Sequence, residues 1–122
     1  MKALSSPRFP LPPLFPIVWG ILFVLMGIGA ARIYLASPSR ERTSSLRIFL
    51  LQLAFNFFWS ILFFNFQAFG AALVWLVILW GLILWMITSF HKVDPLAAWM
   101  QVPYLLWVTF AAYLNYGVWI LN

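Results

Sequence analysis

Polar side chains that could hold a ligand recur at four-residue intervals within a long apolar stretch of this chain. If the stretch is helical, Gln52, Asn56 and Ser60 share one face, and Trp59 lies beside them. Such side chains either join neighbouring helices by hydrogen bonds or line the polar wall of a ligand cavity. The spacing alone favours hydrogen bonding between helices and leaves the cavity open as an alternative.

A second face with the same period lies near the end of the chain. Trp107, Ala111 and Asn115 recur every four residues, and Tyr104 lies about one turn before Trp107. A large indole beside a small alanine leaves room for a flat guest, and the asparagine supplies a donor and an acceptor. Close packing of a neighbouring helix against Ala111 explains the pattern equally well.

The other reactive residues disfavour hydrolysis, metal chemistry and proton-coupled export. No serine stands in a recognisable nucleophile context, cysteine is absent, and the one ligand-type residue near His91 is Asp94, which is expected to cap a helix. The sequence therefore predicts no catalytic residue, no metal site and no obligatory cofactor. Proton-coupled export is disfavoured because no Asp, Glu, Lys or His falls inside a predicted span.

The elements that must position these residues are membrane-spanning helices. Of the 122 residues, 66% are hydrophobic and only 7% are charged, against roughly 45–50% and about 25% in soluble domains. The apolar character is continuous rather than alternating, which predicts helices and not barrel strands. The predicted fold is an all-α, polytopic transmembrane bundle, a single domain over residues 1–122. Its four helices cover about 14–35, 46–66, 68–90 and 96–121, behind a Pro-rich surface segment at 1–13.

Turn and cap residues mark the connections between these helices. The Thr-Ser-Ser run at 43–45 offers an N-cap for the second helix after a solvated loop, and only 65–67 separate the second and third helices. Asp94 and Pro95 are expected to cap and begin the fourth helix. Pro103 is expected to kink that helix because it lacks an amide proton.

The charged residues indicate topology rather than nucleic-acid binding. Seven Lys and Arg residues against Glu41 and Asp94 give a formal net charge of +5, and all nine lie at or outside the ends of the apolar runs. The positive-inside bias places the basic loops at 36–46 and 91–94 in the cytoplasm. Gly27 and Ala31 form a small-residue pair at which helices, including those of a second copy, can pack.

Three tryptophans of the third helix are expected to lie outside any site. Trp75, Trp80 and Trp85 step by five residues, so they scatter around the helix and mostly face lipid.

Three strings of the chain, in order, resemble signatures of the tryptophan-rich sensory protein/translocator protein (TspO/MBR) family. They are FPIVWGILFVLMG at 15–27, NFFWSILFF at 56–64 and PLAAWMQVPYLLWVTFAAYLNYGVW at 95–119. The resemblance implies a five-helix bundle, usually a homodimer, with a cavity for protoporphyrin, haem and related tetrapyrroles. Matched by position, it implies the pocket residues Trp19, Asn56, Trp107 and Ala111, and it favours the cavity explanation for Gln52 and Asn115.

The chain departs from the family pattern in three places. Phe23 replaces the tyrosine of the first signature. Tyr116 is not followed by a basic residue, as the sterol-recognition pattern of animal members requires, so sterol binding is not expected. Residues 3–13 resemble the end of the family's first loop, so the family's first helix is missing from this sequence. We expect it upstream of Met1, and the alternative is that a second copy covers the gap at Gly27 and Ala31.

The function predicted from the sequence is receptor-like or transporter-like binding of porphyrin-type tetrapyrroles in a membrane, in stress-linked tetrapyrrole control. Two alternatives stay open. One is light-dependent oxidative breakdown of bound porphyrin, in which the pigment absorbs the photon and no acid or base is needed. The other is a small structural scaffold whose polar faces only join helices.

Overall fold

The computed structural model describes residues 14–121, which form four apolar helical spans. They comprise α1 (Leu14–Tyr34), α2 (Arg40–Ser60) with a π-helical turn (Ile61–Asn65), α3 (Phe69–Val93), α4 (Pro95–Trp99) and α5 (Val102–Leu121). Helices α4 and α5 together make the fourth span. Each span is long and apolar enough to cross a hydrocarbon layer of roughly 30 Å. The all-α, four-helix prediction is confirmed, whereas the Pro-rich segment at 1–13 lies outside the described residues.

The second helix starts earlier than the sequence predicts. The N-cap is Ser39, whose hydroxyl accepts a hydrogen bond from the backbone N–H of Arg42 at 3.0 Å, so the loop is confined to 35–39. The predicted start near residue 46 and the predicted cap at 43–45 are wrong. Arg and Glu are good helix formers, so a helix can continue beyond the apolar run. Ser45 is instead buried, and its hydroxyl lies 2.6 Å from that of Ser89.

The third helix also extends beyond its predicted end. It finishes at Val93 rather than near residue 90, so His91 and Lys92 lie on its last turn and not in a loop. Basic side chains are stabilised there by the negative end of the helix dipole. The tight antiparallel turn between α2 and α3 is confirmed, with Gln67 in the left-handed backbone region at φ 53°.

The fourth span starts as predicted and then breaks. Asp94 accepts a hydrogen bond from the backbone N–H of Leu96 at 3.2 Å, and Pro95 is the first helical residue. The helix ends at Trp99 and resumes at Val102, so the single helix predicted over 96–121 is divided in two. Pro103 accounts for the break, because it cannot donate to the Trp99 carbonyl and its ring would collide with that group in a continuous helix.

Helix α3 is the centre of the bundle. It packs along α2 on one side and along α4 and α5 on the other, while α1 contacts α2, α4 and, over a smaller area, α5. Large hydrophobic side chains are exposed around the outside, as expected for surfaces that face lipid. The α3 tryptophans were expected mostly to face lipid, and the exception is Trp75, which is partly buried and whose ring stacks on Phe55 with centroids 4.5 Å apart. Trp80 and Trp85 are exposed.

Candidate ligand-binding site

The interior of the bundle contains a hydrogen-bonded group centred on the hydroxyl of Tyr104. The side-chain amide of Asn56 donates to this hydroxyl at 2.7 Å, and the hydroxyl donates to Oε1 of Gln52 at 2.8 Å. All three side chains are buried. Because Gln52 and Asn56 lie one turn apart on α2 and Tyr104 lies in the first turn of α5, the group ties two helices together.

Gln52 also reaches the first helix. Its Nε2 donates to the sulfur of Met26 at 3.7 Å, which is a weak acceptor for an amide. Gln52 therefore connects α1, α2 and α5 through a single side chain.

A second buried network lies further along the same two helices. The indole N–H of Trp59 donates to Oδ1 of Asn115 at 3.1 Å, and Nδ2 of Asn115 donates to the backbone carbonyl of Phe69 at 2.8 Å. Ser60 does not join either network, because its hydroxyl bonds to the carbonyl of Asn56 in its own helix. Asn115 thus joins three helical segments.

A series of aromatic contacts extends from the ring of Tyr104 through Trp19. The ring of Trp19 lies edge-on to Tyr104 and to Trp107, with centroids 6.3 and 6.4 Å apart, and stacks on Phe23 at 5.5 Å. Phe110 lies 5.4 Å from Trp107. We call these five residues the aromatic cluster. Both indoles are only partly buried, so they present apolar surface at the edge of the bundle.

The structure brings together four of the six predicted site residues. Trp19 and Trp107 contact Tyr104 or each other through their rings, while Gln52 and Asn56 hold the Tyr104 hydroxyl. Ala111 is buried one turn beyond Trp107.

Asn115, the sixth predicted residue, lies a further turn along α5 and belongs to the Trp59 network. The three amides all hydrogen-bond between helices, which is the arrangement that the spacing alone favours.

Neither the central role of Tyr104 nor the burial of Gln101 was predicted from the sequence. Gln101 lies in the break of the fourth span, and its Nε2 lies 3.4 Å from the Ala97 carbonyl. Its Oε1 has no hydrogen-bond partner within the part of the chain that the structure describes. Gln101 precedes Tyr104 by one helical turn, so extending the polar face of the last helix backwards was the available signal.

Ionic contacts stabilise the opposite end of the first helix. Nε of Arg32 donates to Oδ2 of Asp94 at 2.6 Å, and this hydrogen bond holds the pKa of the Asp94 carboxyl below its ordinary value. Arg42 donates twice to the carbonyl of Tyr34, at 2.8 and 2.9 Å, and lies over its ring.

Among residues 14–121, no group of three His, Cys, Asp or Glu side chains could hold a metal ion.

Comparison with known proteins gives the relationships of the chain. A family model described as the TspO/MBR family matches residues 1–120. The chain is 38% identical to protein CrtK of Rhodobacter capsulatus, over 98% of this chain and 76% of that protein. It is 40% identical to the tryptophan-rich protein TspO of Chlorobaculum tepidum, over 91% and 72% of the two chains. It is also 40% identical to the translocator protein of Sus scrofa, over 93% and 66%. The chain therefore belongs to the TspO/MBR family of integral membrane proteins.

Proposed function

We propose that this membrane protein binds porphyrin-type tetrapyrroles, such as protoporphyrin or haem, at the aromatic cluster. The binding would serve stress-linked control or transport of tetrapyrroles. The observation that carries the proposal is the pair of partly buried indoles, Trp19 and Trp107, which meet edge-on beside Tyr104. A flat macrocycle gains dispersion and offset aromatic contact from such surfaces, at about 0.5–1.5 kcal/mol per ring pair beyond the area buried.

The polar residues act mainly through Tyr104. Its ring contacts Trp19, and its hydroxyl is held on both sides by Gln52 and Asn56, which fixes the orientation of the phenol. The two amides are therefore positioning residues. Gln52 can offer its Oε1 to the polar edge of a macrocycle only by exchanging its bond to Tyr104. The small side chain of Ala111, one turn beyond Trp107, would leave room for the macrocycle.

A structural scaffold is the second candidate function. It is favoured by one observation, namely that Gln52, Asn56 and Asn115 all hydrogen-bond between helices. Such bonds contribute roughly 0.6–2 kcal/mol each in membrane proteins, and they need no ligand to explain them.

Titration of the purified protein with protoporphyrin, in the dark and under illumination, tests the proposal. Binding should shift the porphyrin absorbance and quench tryptophan fluorescence, because the macrocycle lies against indoles. Saturable binding without bleaching supports the receptor. Binding followed by light-dependent loss of the porphyrin band indicates the degrading enzyme, and no saturable binding leaves the scaffold.

Homodimer formation is part of the same proposal. Gly27 and Ala31 are exposed on α1, and a side chain placed at Gly27 would meet open space, so a second copy can approach this face closely. Native mass spectrometry of the detergent-solubilised protein should show the dimer, and Gly27→Leu should shift it towards monomer. A wild-type protein that is monomeric at all concentrations contradicts this part of the proposal.

A further inference from the structure

A polar cavity lies between the α1–α2 loop and the end of α3, away from the aromatic cluster. Its volume is about 570 Å³, and it is widely open to its surroundings. Residues 36–39 of the loop form one wall, and Glu41, Lys92 and Val93 form the rest. We call it the loop cavity.

Two side chains of opposite charge line the loop cavity and do not form an ion pair with each other. Glu41 lies in the first turn of α2 and Lys92 in the last turn of α3. Both side chains are exposed, and within residues 14–121 the ion pair that forms is Arg32–Asp94 rather than Glu41–Lys92. The neighbouring Arg42 is held by the Tyr34 carbonyl. The cavity therefore offers a separate anionic and cationic contact to one guest.

The position of the cavity indicates what kind of guest reaches it. Its lining residues lie where α1 and α3 end and α2 begins, at the boundary of three membrane spans. Lipid headgroups occupy this level of a bilayer, just outside the hydrocarbon layer. A headgroup that carries both a phosphate and a primary ammonium matches the two charges.

We propose that the loop cavity binds the headgroup of a phosphatidylethanolamine-type phospholipid. Lys92 contacts the phosphate and Glu41 accepts hydrogen bonds from the ammonium. An anionic headgroup without an ammonium, as in phosphatidylglycerol, is repelled by Glu41. The quaternary ammonium of phosphatidylcholine cannot donate a hydrogen bond to the Glu41 carboxylate.

Native mass spectrometry of the full chain, delipidated and then mixed with equal amounts of the three lipids with identical acyl chains, tests the proposal. The wild type should retain phosphatidylethanolamine in preference to the other two. In Glu41→Gln, the preference for phosphatidylethanolamine over phosphatidylglycerol should fall about two- to fivefold, as expected for one charge-assisted contact between exposed groups. Lys92→Met should reduce retention of phosphatidylethanolamine and of phosphatidylglycerol.

Matched variants separate lipid recognition from folding. Glu41→Asp and Lys92→Arg keep the charges and should keep the preference. Arg47→Gln removes an exposed charge of α2 outside the cavity lining and should change nothing. Circular dichroism reports helix content for each variant. The lipid ratio is compared only among variants whose helix content matches that of the wild type.

Three results would overturn the assignment. The first is equal wild-type retention of phosphatidylethanolamine and phosphatidylglycerol, and the second is an unchanged lipid ratio in Glu41→Gln together with unchanged lipid retention in Lys92→Met. The third is displacement of the lipid by an equal concentration of soluble phosphoethanolamine, which would assign the cavity to a free phosphate compound instead.

Discussion

The hydroxyl of Tyr104 donates a hydrogen bond to Oε1 of Gln52 at 2.8 Å, across the interior of the bundle between α5 and α2. The same hydroxyl accepts from Asn56, so one phenol oxygen satisfies two amides that face no water. Unpaired polar groups are costly in a lipid-surrounded interior. Tyr104 therefore links α2 and α5 through its hydroxyl, and its ring contacts the ring of Trp19.

Tyr104→Phe should destabilise the protein by about 1–2 kcal/mol, because both amides lose their partner while the ring stays in place. Thermal or denaturant unfolding in mild detergent, followed by circular dichroism, measures the loss. Tyr113→Phe is the matched control, since Tyr113 is 72% exposed on the same helix. Equal effects of the two substitutions would contradict the role of the Tyr104 hydroxyl.

Two glycines of α1 should respond differently to the same substitution. A Cβ on Gly29 would overlap Nε2 of Gln101 and lie 3.2 Å from the Ala97 carbonyl, whereas a Cβ on Gly27 meets nothing within 4 Å. Both substitutions by alanine gain up to about 1 kcal/mol of helix propensity. Gly29→Ala must also displace Gln101, so it should be less stable than Gly27→Ala by about 1–3 kcal/mol.

The comparison is made by unfolding both variants under one set of conditions. The double variant Gly29→Ala/Gln101→Ala removes the overlapping amide and should recover part of the loss. Equal stability of the two single variants would show that α1 and α4 do not approach closely at Gly29.

The four spans could be predicted from the sequence because continuous apolar runs leave the backbone no alternative to helix in lipid. The start of α2 could not, since Arg40, Glu41 and Arg42 carry good helix propensity but no hydropathy signal. The pairing of Gln52 and Asn56 with a partner was expected from their spacing. The identity of that partner, Tyr104, could not be predicted. It depends on where α5 resumes after the break, at Val102, which is decided by the packing of the helices.

The contact between Arg32 and Asp94 should make stability depend on pH in the acid range. Because the pKa of Asp94 lies below its ordinary value of 3.8, the contribution is fully present above that value and is lost as pH falls through the folded-state pKa. Asp94→Asn keeps the helix cap but removes the charge. It should cost at most about 1 kcal/mol near pH 7, since the Arg32 side chain is 44% exposed.

Unfolding of the wild type and Asp94→Asn between pH 7 and pH 3 checks the sign. The stability difference should stay constant down to about pH 5 and narrow below the ordinary value of 3.8. Arg32→Gln should reproduce the loss near pH 7. A difference that widens towards pH 3 would contradict the ion pair as its origin.

The proposed orientation places the α1–α2 loop in the cytoplasm. Ser39 and Gln67 are exposed at opposite ends of the second span, and the chain has no cysteine, so one introduced cysteine reports each side. In intact cells an impermeant thiol reagent should label Gln67→Cys and not Ser39→Cys. Labelling of Ser39→Cys alone would reverse the orientation, and labelling of both in intact cells would contradict the span itself.

The aromatic cluster should carry the affinity for porphyrin. If one macrocycle lies against both indoles, Trp19→Ala and Trp107→Ala should each weaken protoporphyrin binding by about 1–3 kcal/mol, or roughly 5- to 150-fold in Kd. Because their rings contact each other at 6.4 Å, the double variant should lose less than the sum of the two losses. Fluorescence quenching and absorbance titrations give the four dissociation constants of this cycle.

Trp85→Ala is the control for that cycle, because Trp85 is 54% exposed on α3 and lies outside the aromatic cluster. It is a cleaner control than Trp80, whose indole N–H donates to Thr109 at 2.9 Å and so joins α3 to α5. Helix content and unfolding of each variant are measured beside the titrations, so that lost affinity is not confused with lost fold. If Trp85→Ala weakens binding as much as Trp107→Ala, porphyrin associates with the lipid-facing surface at large and the aromatic cluster is not its site.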